Sequence, residues 1–270
     1  MSMLRRMVIL TATIAGTLLL PLAGAQTPRQ QKSEAAPRRD LSGIWQPVRT
    51  LDGIQPNGAR DMPADGKHEP SYTPLGLEMF SLNKSSNGVQ AVGPAEENDP
   101  AHSCDPQGFP RENLFELRAT QVIQNPVQVI LLYTYGKVWR TIWTDGRELP
   151  KDPDPHWFGY SVGRWQDDST FVVQTNGLDE RTWVDNAGRP HSEDLRVEEI
   201  FHRVDRDHLE LTVTIDDPKV YTKPWVAMNK MPMQLMPPNF EMVEMMCSPS
   251  ELAEYNRRHA VKGEANQPKK

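Results

Sequence analysis

From Leu114 onward, short apolar runs alternate with turn sequences at nearly regular intervals. The turns include Tyr135-Gly136-Lys137, Asp145-Gly146 and Asp205-Arg206-Asp207, which are of types that make tight reversals. Short strands joined by such reversals are typical of an antiparallel meander, in which successive strands pair as neighbours. The predicted strands cover residues 127–135, 138–143, 160–165, 170–174, 195–203, 208–215 and 221–233.

The alternation of side chains indicates how this meander is used. Residues 209–215 alternate strictly between apolar and polar, so one face packs on a core. The same period in the preceding strand brings Val197, Glu199, Phe201 and Arg203 onto one face, which mixes charge into it. A long meander with a mixed face favours closure around a partly polar interior. We therefore predict a mainly β fold, an antiparallel meander closed into a barrel, with a short C-terminal helix over residues 250–259.

The first 25 residues have the order of a secretory signal peptide. Arg5 and Arg6 precede an apolar run over 7–20, and small residues lead to predicted cleavage after Ala25. A membrane anchor is the weaker alternative, because the run contains several threonines and breaks at Pro21. The expected location is the periplasm or the exterior, with no stable membrane insertion after cleavage.

The rest of the chain is predicted to form a single β-barrel domain over residues 40–260. Residues 26–39 have no periodicity and read as a flexible lead-in, and residues 261–270 as a disordered tail. A Pro- and Gly-rich region over 51–110 is expected to wrap the barrel or cap its opening.

Charge and motifs exclude several classes of function. The formal net charge is -6, and loss of the two leader arginines makes it more negative, which disfavours nucleic acid and anionic lipid as partners. The sequence contains no Gly-rich phosphate loop and no dinucleotide fingerprint, so no cofactor is expected. A small-molecule ligand or substrate is the expected partner.

The two cysteines, Cys104 and Cys247, are predicted to form a disulfide, as an even pair in an oxidising compartment does. A thiol nucleophile or metal ligand is the alternative. The seven histidines show no metal-binding spacing, so no metal site is predicted. Methionines crowd the region 228–246, where adaptable core packing is the ordinary interpretation and Cu(I) binding the alternative.

The connection over residues 176–194 is much longer than a reversal between two strands requires, and it is dense in polar and aromatic residues. His191 is the predicted general acid or base, oriented by a carboxylate such as Asp185 or Asp194. Asp179 and Asp185 are the other predicted catalytic residues, and Arg181 and Trp183 are predicted to bind substrate. The alternative for His191 is a loop histidine whose ring is satisfied by backbone.

A second cluster lies in the sequence Asp152-Pro153-Asp154-Pro155-His156-Trp157, which leads into a strand at Tyr160. The prolines hold this approach extended and so present His156, Trp157 and Tyr160 in fixed directions. These three residues are predicted to bind substrate at the barrel rim. The alternative is that Trp157 and Tyr160 plug the barrel end as core.

Several segments resemble a family of secreted, mostly uncharacterised bacterial proteins with a lipocalin-like (calycin-like) β-barrel. The resemblance spans residues 40–255 and implies the fold, but it implies no activity. The segments that carry it are Asp40-Leu41-Ser42-Gly43-Ile44-Trp45, Lys137-Val138-Trp139-Arg140, Asp145-Gly146-Arg147, residues 157–163 and Gly188-Arg189-Pro190-His191-Ser192-Glu193.

Two functions follow as hypotheses, and both require a hollow barrel whose rim gathers the Trp157 and His191 segments. The first is a cofactor-independent enzyme of lyase, hydratase, isomerase or hydrolase type that uses acid/base chemistry in the barrel cavity. The alternative is a non-catalytic carrier of an apolar or aromatic ligand. A third hypothesis is an envelope protein that binds a macromolecule through region 51–110.

Overall fold

A computed structural model describes residues 34–48, 58–93, 95–115 and 117–264. The predicted signal peptide, most of the predicted lead-in and the last six residues of the predicted tail lie outside these ranges. No helix within the described ranges combines the length and apolar character needed to cross a bilayer.

Nine strands close into a barrel, which confirms the predicted fold class. The barrel strands are β1 (Gly43–Pro47), β4 (Thr120–Gln124), β5 (Gln128–Tyr133), β6 (Trp139–Trp143), β7 (Tyr160–Trp165), β8 (Thr170–Asn176), β9 (Arg196–Arg203), β10 (His208–Asp216) and β11 (Trp225–Leu235). Around the barrel the order is β1-β11-β10-β9-β8-β7-β6-β5-β4, and β1 pairs with β4 to complete the ring.

The remaining elements lie between β1 and β4 or after β11. Strands β2 (Gly58–Ala59) and β3 (Met62–Pro63) pair with each other, and α1 (Pro74–Leu82) begins after its N-cap Thr73. A 3-10 turn (Pro100–Ser103) and the single-turn helix α2 (Arg111–Leu114) follow. The predicted C-terminal helix is present as α3 (Pro249–Glu264).

One strand pair departs from the predicted antiparallel pattern. β6 and β7 run parallel, with Ile142 opposite Ser161 and Trp143 opposite Val162. Parallel neighbours require the chain to return to the starting end before the second strand begins. Residues 144–159 make that return, so this long connection is a consequence of the topology.

Side chains fill the barrel. Trp45 and Phe171 have no appreciable exposure, and the apolar residues of β10 point inward as predicted. The mixed face of β9 also points inward, because Val197, Glu199, Phe201 and Arg203 are all buried. A cavity of about 20 Å³ remains beside Asn113 and Tyr133. A space of this size has room for one water molecule.

The polypeptide between β3 and β4 closes one end of the barrel. Phe109 is fully buried, and all four residues of α2 are buried although three of them are polar. The guanidinium of Arg140, on β6, lies 3.8 Å from the centre of the Phe109 ring. Phe109 and α2 therefore act as a plug that reaches the polar interior.

Cys104 and Cys247 form a disulfide with an S–S distance of 1.99 Å, which confirms the predicted pair. Cys104 directly follows the 3-10 turn, and Cys247 lies between β11 and α3. The bond ties the polypeptide before the plug to the C-terminal segment. Both sulfurs are consumed, so neither is a nucleophile or a metal ligand in this oxidised state.

Candidate ligand-binding groove

The barrel interior contains a buried ion pair between Arg140 on β6 and Glu199 on β9. Nη2 of Arg140 lies 2.5 Å from Oε2 of Glu199, and neither side chain is exposed to solvent. Arg140 also donates to Ser161 Oγ at 3.0 Å and to Thr175 Oγ1 at 2.9 Å. Asn113 of α2 donates to the other carboxylate oxygen at 2.7 Å. The two charges thus neutralise each other inside a hydrogen-bonded network.

This network is held away from solvent and from any ligand-sized space. Burial opposes the charge on Arg140, but the Glu199 carboxylate raises the arginine's pKa above its ordinary value. Burial likewise raises the pKa of the Tyr133 hydroxyl. That hydroxyl has no hydrogen-bond partner among the described residues, and Tyr133 is one of the residues that line the 20 Å³ cavity. The interior cavity is therefore too small for an organic ligand.

His191, the predicted acid or base, is fully buried. Its Nδ1 lies 3.0 Å from the carbonyl oxygen of Ser192, and its Nε2 lies 2.8 Å from Oγ1 of Thr182. Because a carbonyl only accepts, Nδ1 carries a proton and donates it to Ser192 O, while the Thr182 hydroxyl beside Nε2 donates to Asp179 O at 2.9 Å. Burial lowers the pKa of the ring, so the neutral form is favoured. Both ring nitrogens are occupied by the fold, and neither is bonded to Asp185.

Asp185 and Trp183 are also buried. The Asp185 carboxylate accepts from the backbone N–H groups of Ala59 and Ala187 and from Arg189, all at 2.9 Å. It thereby fixes the 176–194 connection to β2. Trp183 lies with its ring centre 5.5 Å from the Arg111 guanidinium carbon.

The other predicted site residues lie at or near the surface. Asp179 pairs with Arg181 at 2.6 Å, and this arginine lowers the pKa of the aspartate. The Arg181 guanidinium carbon stacks 4.4 Å from the Trp157 ring centre. His156 is exposed, and Tyr160 accepts a hydrogen bond from Arg147 at 3.0 Å.

The structure packs the segment that contains His156 and Trp157 against the 176–194 connection, but only some of the predicted site residues are buried. His156 N donates to Gly177 O at 2.9 Å, and Asp179 N donates to His156 O at 3.1 Å, so the segments pack side by side. The buried residues are His191, Asp185 and Trp183. The residues at or near the surface are Asp179, Arg181, His156, Trp157 and Tyr160. The catalytic and substrate-binding roles of these residues stay predictions.

A cluster of possible metal ligands, Glu97, Asp99 and His102, is occupied by internal partners. Arg111 binds both oxygens of Asp99, at 2.7 and 2.6 Å, and His102 lies 3.0 Å from Glu97. An arginine held this way competes with a cation for the same oxygens. In the Met-rich region, Met228, Met231 and Met233 are buried in the core of the barrel.

Adjoining depressions form a groove on the barrel surface. Three adjoining depressions have volumes of about 540, 470 and 280 Å³. All three include Arg196, and the two smaller ones share Leu149 and Gln174. The two smaller depressions lie over residues of β7, β8, β9 and β10, and the 540 Å³ depression lies where β8 ends and β9 begins. We call the three together the outer groove and the 540 Å³ depression its acidic end.

The return connection between β6 and β7 builds the wall of the acidic end. Residues 151–155 form one side, residues 193–196 the other, and Asn176 and Gly177 lie between them. Asn176 holds the wall by donating to Pro150 O at 2.7 Å. A Cβ on Gly177 would lie 2.4 Å from Pro153, and its φ is +63°, so only glycine allows this close approach.

Charges at the acidic end are only partly paired. Lys219 neutralises Glu193 at 2.9 Å and Asp194 at 3.1 Å, and these carboxylates raise its pKa. Asp152, Asp154 and Arg196 have no ion pair or side-chain hydrogen bond with any described residue. Both signs of unpaired charge therefore line one depression.

Asn176 adds an unused hydrogen-bond acceptor to this end of the groove. The residue is only 6% exposed, and its Oδ1 accepts no hydrogen bond from the described part of the chain. Its Nδ2 is committed to Pro150, which fixes the orientation of the amide. A buried amide oxygen without a partner costs about 1–3 kcal/mol, so a ligand donor there would be favoured.

Sequence reasoning missed this groove. The Asp152-Pro153-Asp154-Pro155 segment draws attention through its histidine and aromatic neighbours, whereas Asp152 and Asp154 line the 540 Å³ depression. Gln174 and Arg196 carry no local signal, since polar residues are ordinary on an outer barrel face. The repeated Asp-Pro spacing, which fixes two acidic side chains on a rigid wall, was the available signal.

Comparison of the chain with models of protein families, with curated proteins and with solved structures gave no match. The resemblance to secreted lipocalin-like proteins therefore stays a prediction, and function has to be argued from the geometry described above.

Proposed function

We propose that this protein is an exported binding protein that holds a small, polar, charged organic molecule in the outer groove. The supporting observation is the contrast in space between the two sides of the barrel wall. The acidic end offers about 540 Å³, within the range of small-molecule sites, whereas the interior cavity offers about 20 Å³.

Binding without chemistry is favoured by the residues of the groove. Within the described chain, no histidine, cysteine or serine lines any of the three depressions. Histidine is the side chain that ordinarily exchanges protons near neutral pH. The charged side chains that are present suit recognition of charge.

The ligand is polar in this proposal, in contrast to the apolar or aromatic cargo that the sequence suggested for a carrier. None of the described residues that line the groove is aromatic. Binding of flat apolar ligands relies on stacking against aromatic rings. Charged and amide groups take that place here.

Export rests on the disulfide and on the leader-like sequence. Disulfides form and persist in oxidising compartments such as the periplasm, and Cys104 and Cys247 are joined. Fractionation of producing cells would test this: we expect a periplasmic or extracellular protein shortened at Ala25, and a full-length cytoplasmic protein would contradict export.

A thermal-shift screen of the mature protein against polar metabolite-sized molecules tests the binding function, since a ligand of the native state raises Tm. Arg196→Trp should remove the shift because Arg196 lines all three depressions, including the acidic end. Gln121→Trp is the control, because it places the same ring on the outer face of β4. Equal shifts in both variants would contradict binding in the groove, and a mass spectrum showing conversion of the ligand would contradict a non-catalytic role.

A further inference from the structure

Some surface charges near the groove are paired, and several that line the groove are not. Arg147 binds Asp145 at 2.6 Å, and Lys219 bridges Glu193 and Asp194. Asp152 and Asp154 on the wall, and Arg196 at the start of β9, line the same 540 Å³ depression without such partners. A ligand that satisfied all three would need a positive group and a negative group.

We infer that the ligand of the outer groove is an amino-acid-type zwitterion, a molecule between a free amino acid and a tripeptide in size. This inference rests on the proposed binding function and names its ligand class. An ammonium group donates to the carboxylates of Asp152 and Asp154. A carboxylate accepts from Arg196, whose planar guanidinium matches it with two parallel hydrogen bonds.

Asn176 distinguishes this arrangement from a merely acidic surface. It lines the depression and is buried, its nitrogen donates to Pro150 O, and its buried oxygen has no hydrogen-bond partner among the described residues. An amide oxygen accepts a hydrogen bond from an ammonium or a peptide N–H but not from a carboxylate or a metal-free anion. A zwitterion with peptide character therefore offers partners to Asp152, Asp154, Arg196 and Asn176, four of the groups that line the acidic end.

Arg196 also explains how the ligand is placed along the groove. It is common to all three depressions and so lies at their junction. A carboxylate anchored there leaves the ammonium end in the depression that contains Asp152 and Asp154. The reverse orientation would set a carboxylate against those two aspartates, which repel it.

Three related probes test the inference on the mature protein: triglycine, N-acetyltriglycine, which lacks the ammonium, and triglycine amide, which lacks the carboxylate. Affinities would come from NMR titration at fixed ionic strength, with the side-chain amide signal of Asn176 as a local reporter. We expect triglycine to bind at least about tenfold more tightly than either derivative, because each derivative lacks one of the two charged groups that form charge-assisted hydrogen bonds.

Charge-removing variants assign each end of the probe. In Asp152→Asn/Asp154→Asn, triglycine and its acetylated form should bind equally. In Arg196→Gln, triglycine and its amide should bind equally. Glu241→Gln and Lys230→Gln change charge at exposed positions outside the groove, and they should leave the preference unchanged.

Equal binding of the three probes to the native protein, or binding of none, would overturn the zwitterion inference. Its failure differs from failure of the proposed function. If another polar molecule from the screen binds and Arg196→Trp removes that binding, the groove is a ligand site of a different class. If Arg196→Trp changes the binding of no molecule, the groove itself is not the site.

Discussion

Two neighbouring glutamates on β9 differ in burial and in pairing. Glu199 and Arg140 form a buried ion pair, while Glu198, one residue earlier on β9, points outward. Removal of one partner from a buried pair leaves an uncompensated charge, which is far more costly than loss of an exposed charge.

We expect Glu199→Gln to lower the free energy of unfolding by about 3–5 kcal/mol, because Arg140 keeps its charge without its counterion. Urea denaturation measures the change. Glu198→Gln is the matched control and should stay within about 0.5 kcal/mol of the native protein. Equal effects of the two substitutions would show that the buried pair does not matter. Replacing both partners with methionine should be much less harmful than Glu199→Gln alone.

His191 gives the protein a specific dependence on pH. Burial lowers its pKa in the folded state below the ordinary 6.5, so the unfolded chain takes up this proton first. The stability from the neutral ring is complete above about pH 6.5 and declines as the pH falls towards the folded pKa. Because only one proton is involved, the free energy of unfolding changes by at most about 1.4 kcal/mol per pH unit.

Between pH 6.5 and pH 5, the free energy of unfolding of His191→Asn should therefore fall less than that of the native protein. His156→Asn changes an exposed residue and should show the same fall as the native protein. Urea denaturation across the pH range measures both. An unchanged pH slope in His191→Asn would mean that the buried ring does not titrate as described.

At the scale of elements, the strands of the barrel follow from local patterns, but the partners across it do not. The alternation in β9 predicted that Glu199 faces inward, yet nothing local marked Arg140 as its counterion on β6, because that contact depends on closure. The groove was missed for a related reason. Its wall exists because β6 and β7 are parallel, and the turn Asp145-Gly146 was interpreted as a simple reversal.

Strand β7 also depends on a glycine where it passes Phe171. A Cβ at Gly163 would lie 2.2 Å from Cζ of Phe171 and 2.8 Å from Cγ2 of Ile142. We expect Gly163→Ala to lower the free energy of unfolding by about 1–3 kcal/mol through overpacking. Gly93→Ala, where nothing lies within 4 Å of the new Cβ, is the control. Similar values for both would contradict the close packing of β7 on β8.

The disulfide joins elements that the barrel hydrogen bonds do not join directly. Replacing both Cys104 and Cys247 with serine should lower stability by as much as about 4–5 kcal/mol in the chain-entropy model. Hydrogen exchange should increase in the segment after β11 and near the 3-10 turn, with protection of the barrel strands retained under native conditions. Loss of protection throughout the barrel would show that the bond is needed for its closure.

In the molecule as a whole, side chains fill the barrel interior, and the spaces large enough for a small ligand lie in the outer groove. The plug closes one end, the Arg140–Glu199 network fills the interior, and the return connection raises a wall over β8 and β9. This inverts the arrangement that the sequence suggested, in which the ligand enters the barrel. The closed mainly β fold was predictable from periodicity, whereas the filling of its interior depends on side chains from distant segments such as Phe109 and Asn113.

Mapping of backbone amide shifts would locate a ligand bound outside the barrel wall. The mature protein would be titrated with triglycine, or with the strongest molecule from the thermal-shift screen, and the perturbed amides identified by NMR. We predict that the shifts concentrate at residues 151–155, Asn176 and residues 193–196, which border the acidic end. Shifts concentrated instead at Asn113, Tyr133 and Leu211, which border the interior cavity, would contradict the account.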